Sequence, residues 1–439
     1  MAEKVLPAAD VDVTKMATHK KMKKISGLLS VASCSLLGSM GAQAADNWDV
    51  DTSVLIYSES DRVSAFEPVV SMKKDLNETD ILSMKLTLDS LTGASATGAV
   101  PSSQAQTFTR PSGNGQFTTP ANETPLDDTF KDSRGQFNLN WDKAIDSNNR
   151  RNLGFGVSTE YDFTSISGNA SWTHEMNEKN TALTGGINLE FDTISPIGGI
   201  PQARSIQDVN QAIIREGADD NRQVIDMLVG VTQIIDRSSL FQVNLSYSMA
   251  DGYLTDPFKI VSIVDTTPGA NLGEPTSQIY EHRPDSRSKT SVYGKYKKSL
   301  SNEDIVTASL RLMSDDWGVS SETIDLTYRW QLDNGYYLQP HVRIYHQSAA
   351  DFYRYFLLDS EAIPTDVTAD YRLGEMDAQT FGVKFGKTNQ FGNDWSVRIE
   401  QYVQSGNSNP AAAIGQLSNQ DLYPDVDAII VQASYSFVF

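Results

Sequence analysis

The residues with chemistry to offer are charged side chains that recur at every second position of alternating segments. Lys85, Glu160, Asp162, Glu190, Asp192, Arg311, Asp325, Arg329, Arg343, Lys384, Arg398 and Glu400 all fall on the polar side of stretches whose other side is apolar. In a strand, successive side chains point to opposite faces, so these charges line the wet face of a sheet. Charges of both signs on such a face can pair and stiffen the wall. Alternatively, an arginine ladder opposite an acidic wall can select among solutes that pass between them. Both readings stay open from the residues alone.

Other chemistries have thinner support. Beyond residue 44 the histidines are His174, His282, His341 and His346. His341 and His346 are five apart, so on one strand they face opposite sides and cannot share a metal. Asp315-Asp316-Trp317-Gly318 and the run Asp251 to Pro257 group carboxylates with turn residues. Such clusters can hold Ca²⁺, but Asp and Gly are also ordinary turn chemistry; Asp315 and Asp316 are the only metal candidates, and no metal site is assigned. The chain contains no Gly-x-Ser-x-Gly, no Walker loop, no His-Glu-x-x-His and no Cys-x-x-Cys. A serine triad is defined by geometry rather than sequence order, so a hydrolase remains a further reading; the expectation is a protein that is not an enzyme and needs no cofactor.

The elements that must position these charges are strands. Reading back from the carboxyl terminus, Phe439, Phe437, Tyr435, Ala433, Val431 and Ile429 share one face, and Ser436, Ser434 and Gln432 the other. Phe241, Val243, Leu245, Tyr247 and Met249 alternate with Gln242, Asn244, Ser246 and Ser248, and Ile324, Leu326, Tyr328 and Trp330 alternate with Asp325, Thr327, Arg329 and Gln331. Strict period-two patterning over many segments means strands, not helices. It predicts strands near 47–58, 64–75, 80–91, 135–144, 151–164, 166–177, 180–193, 223–236, 238–251, 287–300, 303–316, 320–331, 335–348, 371–386, 393–405 and 427–439. That is about sixteen, an even number as bacterial single-chain barrels have.

The connections test this independently. Leu76–Thr79, Asp146–Arg150, Glu178–Lys179, Arg237, Ser301–Asn302, Asp333–Gly335 and Thr388–Gly392 are short, while 92–134, 194–222, 252–286, 349–370 and 406–426 are long. Every long connection falls in one alternate set. Outer-membrane barrels sort their loops this way, short turns on the periplasmic side and long loops outside. The fold expected is therefore all-β: a transmembrane antiparallel β-barrel of about sixteen strands with long external loops, Tyr435, Phe437 and Phe439 lying at the membrane interface. The 92–134 stretch reads as irregular, 205–217 as a short amphipathic helix, and at least one long loop is expected to fold inward.

The amino terminus reads as an export signal. Lys20, Lys21, Lys23 and Lys24 precede an apolar stretch from Ile25 to Met40, and Ala42-Gln43-Ala44 has the form of a cleavage site. Residues 1–21 read as an upstream extension or misplaced start, 22–44 as signal peptide and 45–439 as the barrel. Val31-Ala32-Ser33-Cys34 also resembles a lipoprotein processing site, but Leu36, Leu37 and Met40 carry the apolar stretch beyond it. Cleavage after Ala44 removes the only cysteine, and with it thiol chemistry and disulfides. The formal charge is −20, and −23 once residues 1–44 with their six lysines and three acids are gone. That balance does not suit nucleic acid. Mean hydropathy is −0.36, with no apolar run long enough for a membrane helix, a profile a β-barrel shares with soluble proteins.

Several segments resemble a family of proteobacterial outer-membrane proteins catalogued as a domain of unknown function: Asp89 to Ser95, Ser158 to Asp162, Gly252-Tyr253-Leu254-Thr255-Asp256-Pro257-Phe258-Lys259, Glu281-His282-Arg283-Pro284-Asp285-Ser286-Arg287, Ser314 to Gly318, and Gln347 to Tyr353. The resemblance spans most of 45–439 and implies an outer-membrane barrel without an established activity. It also implies genes lying near a flavin transferase, a thioredoxin-like protein and a small lipoprotein. The leading expectation is a porin-like pore or conduit for a small solute or an exported partner. The rival is a scaffold barrel housing a periplasmic or lipoprotein redox or flavin-linked partner. The expected surroundings are outer-membrane lipid and lipopolysaccharide, with the C-terminal strand presented to the barrel assembly machinery.

Overall fold

The computed structural model describes residues 48–438 apart from Asp61, Pro111 and Phe391, with backbone only at 128–130. The expected signal peptide, Cys34, the Ala44 cleavage site and Phe439 lie outside the described residues. In chain order the strands are β1 (Trp48–Glu59), β2 (Ser64–Asp75), β3 (Asp80–Ala96), β4 (Gln106–Thr109), β5 (Gln116–Thr119), β6 (Leu126–Ala144), β7 (Asn149–Thr159), β8 (Phe163–Met176), β9 (Thr181–Ile194), β10 (Ile200–Pro201), β11 (Arg215–Gly217), β12 (Asp220–Asp236), β13 (Ser239–Gly252), β14 (Ile260–Val264), β15 (Pro275–Tyr280), β16 (Ser286–Ser299), β17 (Ile305–Asp315), β18 (Ser320–Gln331), β19 (Tyr336–Gln347), β20 (Leu357–Leu358), β21 (Met376–Thr388), β22 (Asp394–Gly406) and β23 (Val426–Val438). Sixteen of them close a barrel in the order β1-β2-β3-β6-β7-β8-β9-β12-β13-β16-β17-β18-β19-β21-β22-β23. Closure is by antiparallel pairing of the first strand with the last, from Asp49↔Val438 to Glu59↔Ala428.

The register sorts each strand into an outer and an inner face. Phe155, Val229, Leu245, Leu326 and Phe381 are among the large apolar side chains left exposed, Val229 at 66%. Such a continuous apolar surface belongs in lipid. Aromatics gather near the short-turn end, where Trp141, Trp172, Trp330, Trp395 and Tyr435 are all more than a third exposed. Tyr435 stacks on Phe437, centroids 5.3 Å apart. This is the interfacial girdle of a transmembrane barrel, and it places the protein in the Gram-negative outer membrane.

The buried apolar residues lie largely in the long connections rather than in the barrel wall. One cluster joins Leu254, Trp317, Phe352, Tyr353 and Leu373; others join Val100, Val264, Phe356 and Leu417, or Val261, Ile279, Leu357 and Val367. These residues come from connections that leave the barrel at well-separated points of its rim. β14 and β15, between β13 and β16, add the parallel strand β20 from the connection after β19. The same β14 reaches the far side, where the Ile260 amide donates to Thr97 O at 2.9 Å and the Val100 amide to Ser262 Oγ at 3.1 Å. Gln416, after β22, donates to Pro101 O and Gly273 O. Loops that start far apart around the rim can meet only over the mouth, so they form a packed external cap. Tyr371 of this cap descends onto Tyr57, Val426 and Tyr402 at the inner wall, the inward fold expected of at least one long loop.

Two local expectations are corrected. Residues 205–217 form no helix: Ile206 bridges to Ile279, and the Gln207 amide donates to Gln278 O at 2.8 Å. Asp208 instead caps a turn, its Oδ1 accepting from the Asn210 amide at 2.9 Å. A helix this short has little stability of its own, so pairing within the cap overrides its periodicity. The 92–134 stretch is not irregular either. β3 and β6 continue pairing to Ala96↔Leu126, and the β4–β5 hairpin is held by stacked Phe108 and Phe117, 5.2 Å apart.

Candidate functional site

The lumen is the site. On β18 and β19, Leu326 and Ile344 face out, which turns Asp325, Arg329, His341 and Arg343 inward; the register Asp325↔Arg343 and Lys384↔Arg398 carries the inner face on to β21 and β22. Lys85 lies on the inner face of β3, Glu190 and Asp192 on that of β9, and Arg311 on that of β17. Each strand thus delivers its expected charge to the lumen, because alternate positions are all that the chain has to set. Glu160 and Asp162 differ: both lie in the turn between β7 and β8, not on a strand, since pairing stops at Thr159↔Thr164. Burial, with help from Asp132 and Asp256, pushes the Asp162 carboxyl up to about 6.

On the wall from β3 to β12, Asp89, Glu160, Glu190 and Asp192 have cations beside them, and Asp226 is held by the Asn188 side-chain amide. Arg134 bridges to Asp89 at 2.7 Å and lies 4.0 Å from Glu160. Arg222 donates from Nε to Asp192 at 2.7 Å, with Glu190 3.9 Å away. On the opposite wall the pattern inverts. His341 sits between two carboxylates, with Nε2 2.9 Å from Asp325 and Nδ1 hydrogen-bonded to Glu400. Asp394 accepts from Tyr337 at 3.0 Å and from Thr388 at 2.7 Å. Arg329 lies over the Tyr337 ring, 3.6 Å from its centroid, and Lys384 lies 5.9 Å from the same centroid. Among the described residues Arg311, Arg329, Arg343 and Lys384 have no carboxylate within 4.0 Å.

Asp315 and Asp316 sit at the outer rim in turn chemistry. Arg287 holds Asp315 Oδ2 at 2.8 Å, while Oδ1 accepts the amides of Trp317 and Val319 at 3.0 and 2.8 Å. Asp316 Oδ1 accepts the Ser288 amide at 2.9 Å. Among the described residues no cluster of His, Cys, Asp and Glu is arranged to hold a metal.

Sequence reasoning missed two features. One is the run of lysines on the inner face of β16, Lys289, Lys295 and Lys297, whose alternation with Val292 and Tyr296 was there to be read. The other is a charge network in the cap, buried except for part of Arg372. Arg283 is 1% exposed and bridges Glu281 Oε1 at 2.6 Å and Asp370 Oδ2 at 2.8 Å. Arg372 reaches Asp256 and Asp370, both at 2.6 Å. Lys259 donates to the Ala96 carbonyl, and the Glu281 carboxylate takes the Thr368 hydroxyl and, at 2.8 Å, the Asp256 amide. Burial would raise the Asp256 carboxyl, but Arg372, Lys259 and Arg283 hold it down at about 2. Burial opposes ionisation of Asp370 too, and Arg372 and Arg283 keep its carboxyl far below the ordinary range. Burial pushes Glu281 up despite Arg283. Burial and Arg372 together lower the Lys259 ammonium. The segments 252–259 and 281–287 that carry the family resemblance supply four of these groups, Asp256, Lys259, Glu281 and Arg283.

A closed transmembrane barrel with a charged lumen under a loop cap defines the class: an outer-membrane β-barrel protein. Over residues 26–437 the chain matches the family described as Protein of unknown function (DUF3570), and it belongs to that family. No curated protein matches it. Solved structures similar to it include a mutant ferric enterobactin receptor from Pseudomonas aeruginosa, 10% identical with a TM-score of 0.43, covering 90% of this chain and 60% of the receptor. CdiB from Acinetobacter baumannii is 9% identical with a TM-score of 0.43, covering 90% of this chain and 61% of its own. A bacterial polysaccharide outer-membrane secretin is 8% identical with a TM-score of 0.43, covering 90% of this chain and 100% of its own. The chain thus spans about 60% of the receptor's length. The barrel assignment rests on this chain's own strand pairing.

Proposed function

We propose that this protein is a conduit for a small solute, with the external cap as its gate. The observation that carries the reading is the lumen wall: charged side chains on successive strands, several without a counter-charge, in a barrel whose strand number leaves an aqueous interior. A wall built only for rigidity would pair its charges, because an unpaired charge near low-dielectric protein is costly. The cap closes the outer mouth through side-chain networks between separate loops, so passage requires those loops to part. Replacing Arg329 and Arg343 by alanine should change conductance or ion selectivity in a planar bilayer; unchanged values would refute the lumen as the pathway.

The second reading is a scaffold for a periplasmic or lipoprotein partner. It is favoured by the asymmetry of the barrel: long loops cover the outer mouth, while the connections at the other end are short turns such as Leu76–Thr79 and Asp333–Gly335. A partner bound there would plug the lumen from the periplasm, and pull-down with the purified barrel tests it. In this account the girdle meets outer-membrane lipid and lipopolysaccharide, and β23 with Tyr435 and Phe437 is the segment presented to the assembly machinery.

A further inference from the structure

We propose that the lumen wall from β16 to β21 is a binding surface for a small multivalent oxyanion, one bearing several carboxylate or phosphate groups. This rests on the conduit reading and gives its solute class. The cations concerned are Lys295, Lys297, Arg311, Arg329, Arg343 and Lys384, on the inner faces of neighbouring strands. Every acid on the inner faces of β17 to β22 already has a partner. Asp325 and Glu400 are taken by His341, Asp394 by Tyr337 and Thr388, and Asp315 by Arg287 and two turn amides. Asp325 stands directly opposite Arg343 in register yet bonds to the histidine instead. The six cations therefore outnumber the three acids Asp325, Asp394 and Glu400, although Asp394, bonded only to hydroxyls, keeps its charge on the side of Lys384.

The arrangement also works against itself in the absence of a ligand. Lys384 stands directly opposite Arg398 across the β21–β22 pair, a like-charge placement relieved on the Arg398 side by Glu400 at 4.0 Å. Lys295 and Lys297 repeat the charge two residues apart on one face. Acids across the lumen offer little relief, since Asp89 and Asp192 are held by Arg134 and Arg222 on their own wall. An oxyanion removes the repulsion. The arginine forks match carboxylate and phosphate in two-point contacts, and the lysines serve as point charges.

Pyrophosphate is the probe, titrated calorimetrically at low salt into the refolded full barrel in zwitterionic detergent. Folding of each variant is checked by its heat-dependent gel mobility. Binding is expected to weaken as salt rises. It is expected to fall by about tenfold or more in the double variant Arg329→Gln, Lys384→Gln, as the loss of charge-assisted contacts implies. Lys179→Gln, in an exposed turn and paired with Glu175, should bind as the unaltered protein does. No pyrophosphate binding by folded protein overturns the proposal, and so does binding that the double variant leaves intact. Reversal potentials in a salt gradient separate the two readings: lumen binding without current sustains the anion surface and refutes the conduit, whereas a cation-selective current without binding does the reverse.

Discussion

Replacing Arg283 by methionine should loosen the cap without unfolding the barrel. The side chain is 1% exposed and holds Glu281 at 2.6 Å and Asp370 at 2.8 Å. Methionine keeps much of the volume but removes the charge, which strands buried carboxylates. Breaking one side of a buried ion pair costs about 3–5 kcal/mol. The lower end applies here, because Asp370 keeps Arg372 at 2.6 Å, and Glu281 keeps the Thr368 hydroxyl and the Asp256 amide. A loss of about 3 kcal/mol makes local opening about a hundredfold more frequent. Hydrogen exchange read by mass spectrometry should show this in peptides covering 260–264 and 357–370. Peptides from β17 should keep their protection. Cap exchange within about twofold of the unaltered protein would refute the claim that this network holds the loops together, since a buried uncompensated charge cannot be that cheap.

Three further outcomes follow from the same geometry. Leu326→Arg puts a charge on the lipid face midway along β18, where Leu326 is 47% exposed, and should weaken folding into lipid vesicles by about 2–4 kcal/mol in a denaturant titration; a barrel in which this face met water would not respond. Asp256 has its carboxyl lowered to about 2 in the folded cap, so its stabilisation is complete above the ordinary value of about 3.9 and is lost as pH falls through about 2, roughly 2 kcal/mol in all. Asp370 shifts the same way, while Glu281, raised by burial, adds stability in a higher window, as pH falls toward the ordinary carboxyl value and before the Asp256 loss begins; intrinsic-rate-corrected cap exchange that stays flat between about 3.9 and about 2 would contradict the assignment. A Cβ at Gly386 would lie 2.5 Å from the Tyr337 ring, whereas one at Gly294 meets nothing within 4 Å. Gly386→Val should therefore lower the temperature of the gel-mobility shift by overpacking, at a cost of about 1–3 kcal/mol, and Gly294→Ala should not.

The barrel was legible because each strand has a single periodicity to satisfy and a single apolar face to bury in lipid. The pattern of Ile324, Leu326, Tyr328 and Trp330 sets the inner face of β18, so Asp325 and Arg329 could be assigned to the lumen from spacing alone. Strand ends were less legible where pairing runs past the membrane. β3 continues to Ala96 and β6 begins at Leu126 because the two hydrogen-bond above the rim, where no lipid enforces alternation. Of the cap, only the inward fold of a long loop was legible; its internal contacts were not. Asp256 and Arg372 are far apart in sequence and meet only after several loops have converged, so no local period announces them. The same holds for the lumen partners: His341 takes Asp325, which strand register alone would give to Arg343.

Single-channel recording of the purified protein in a planar bilayer tests the central claim most directly, with Arg283→Met run beside the unaltered chain. The account predicts discrete current steps, more frequent in Arg283→Met because its cap opens more readily, and altered in size or selectivity by Arg329→Ala with Arg343→Ala. Folded protein of both forms that inserts yet passes no current would contradict the conduit and leave the lumen to a bound partner.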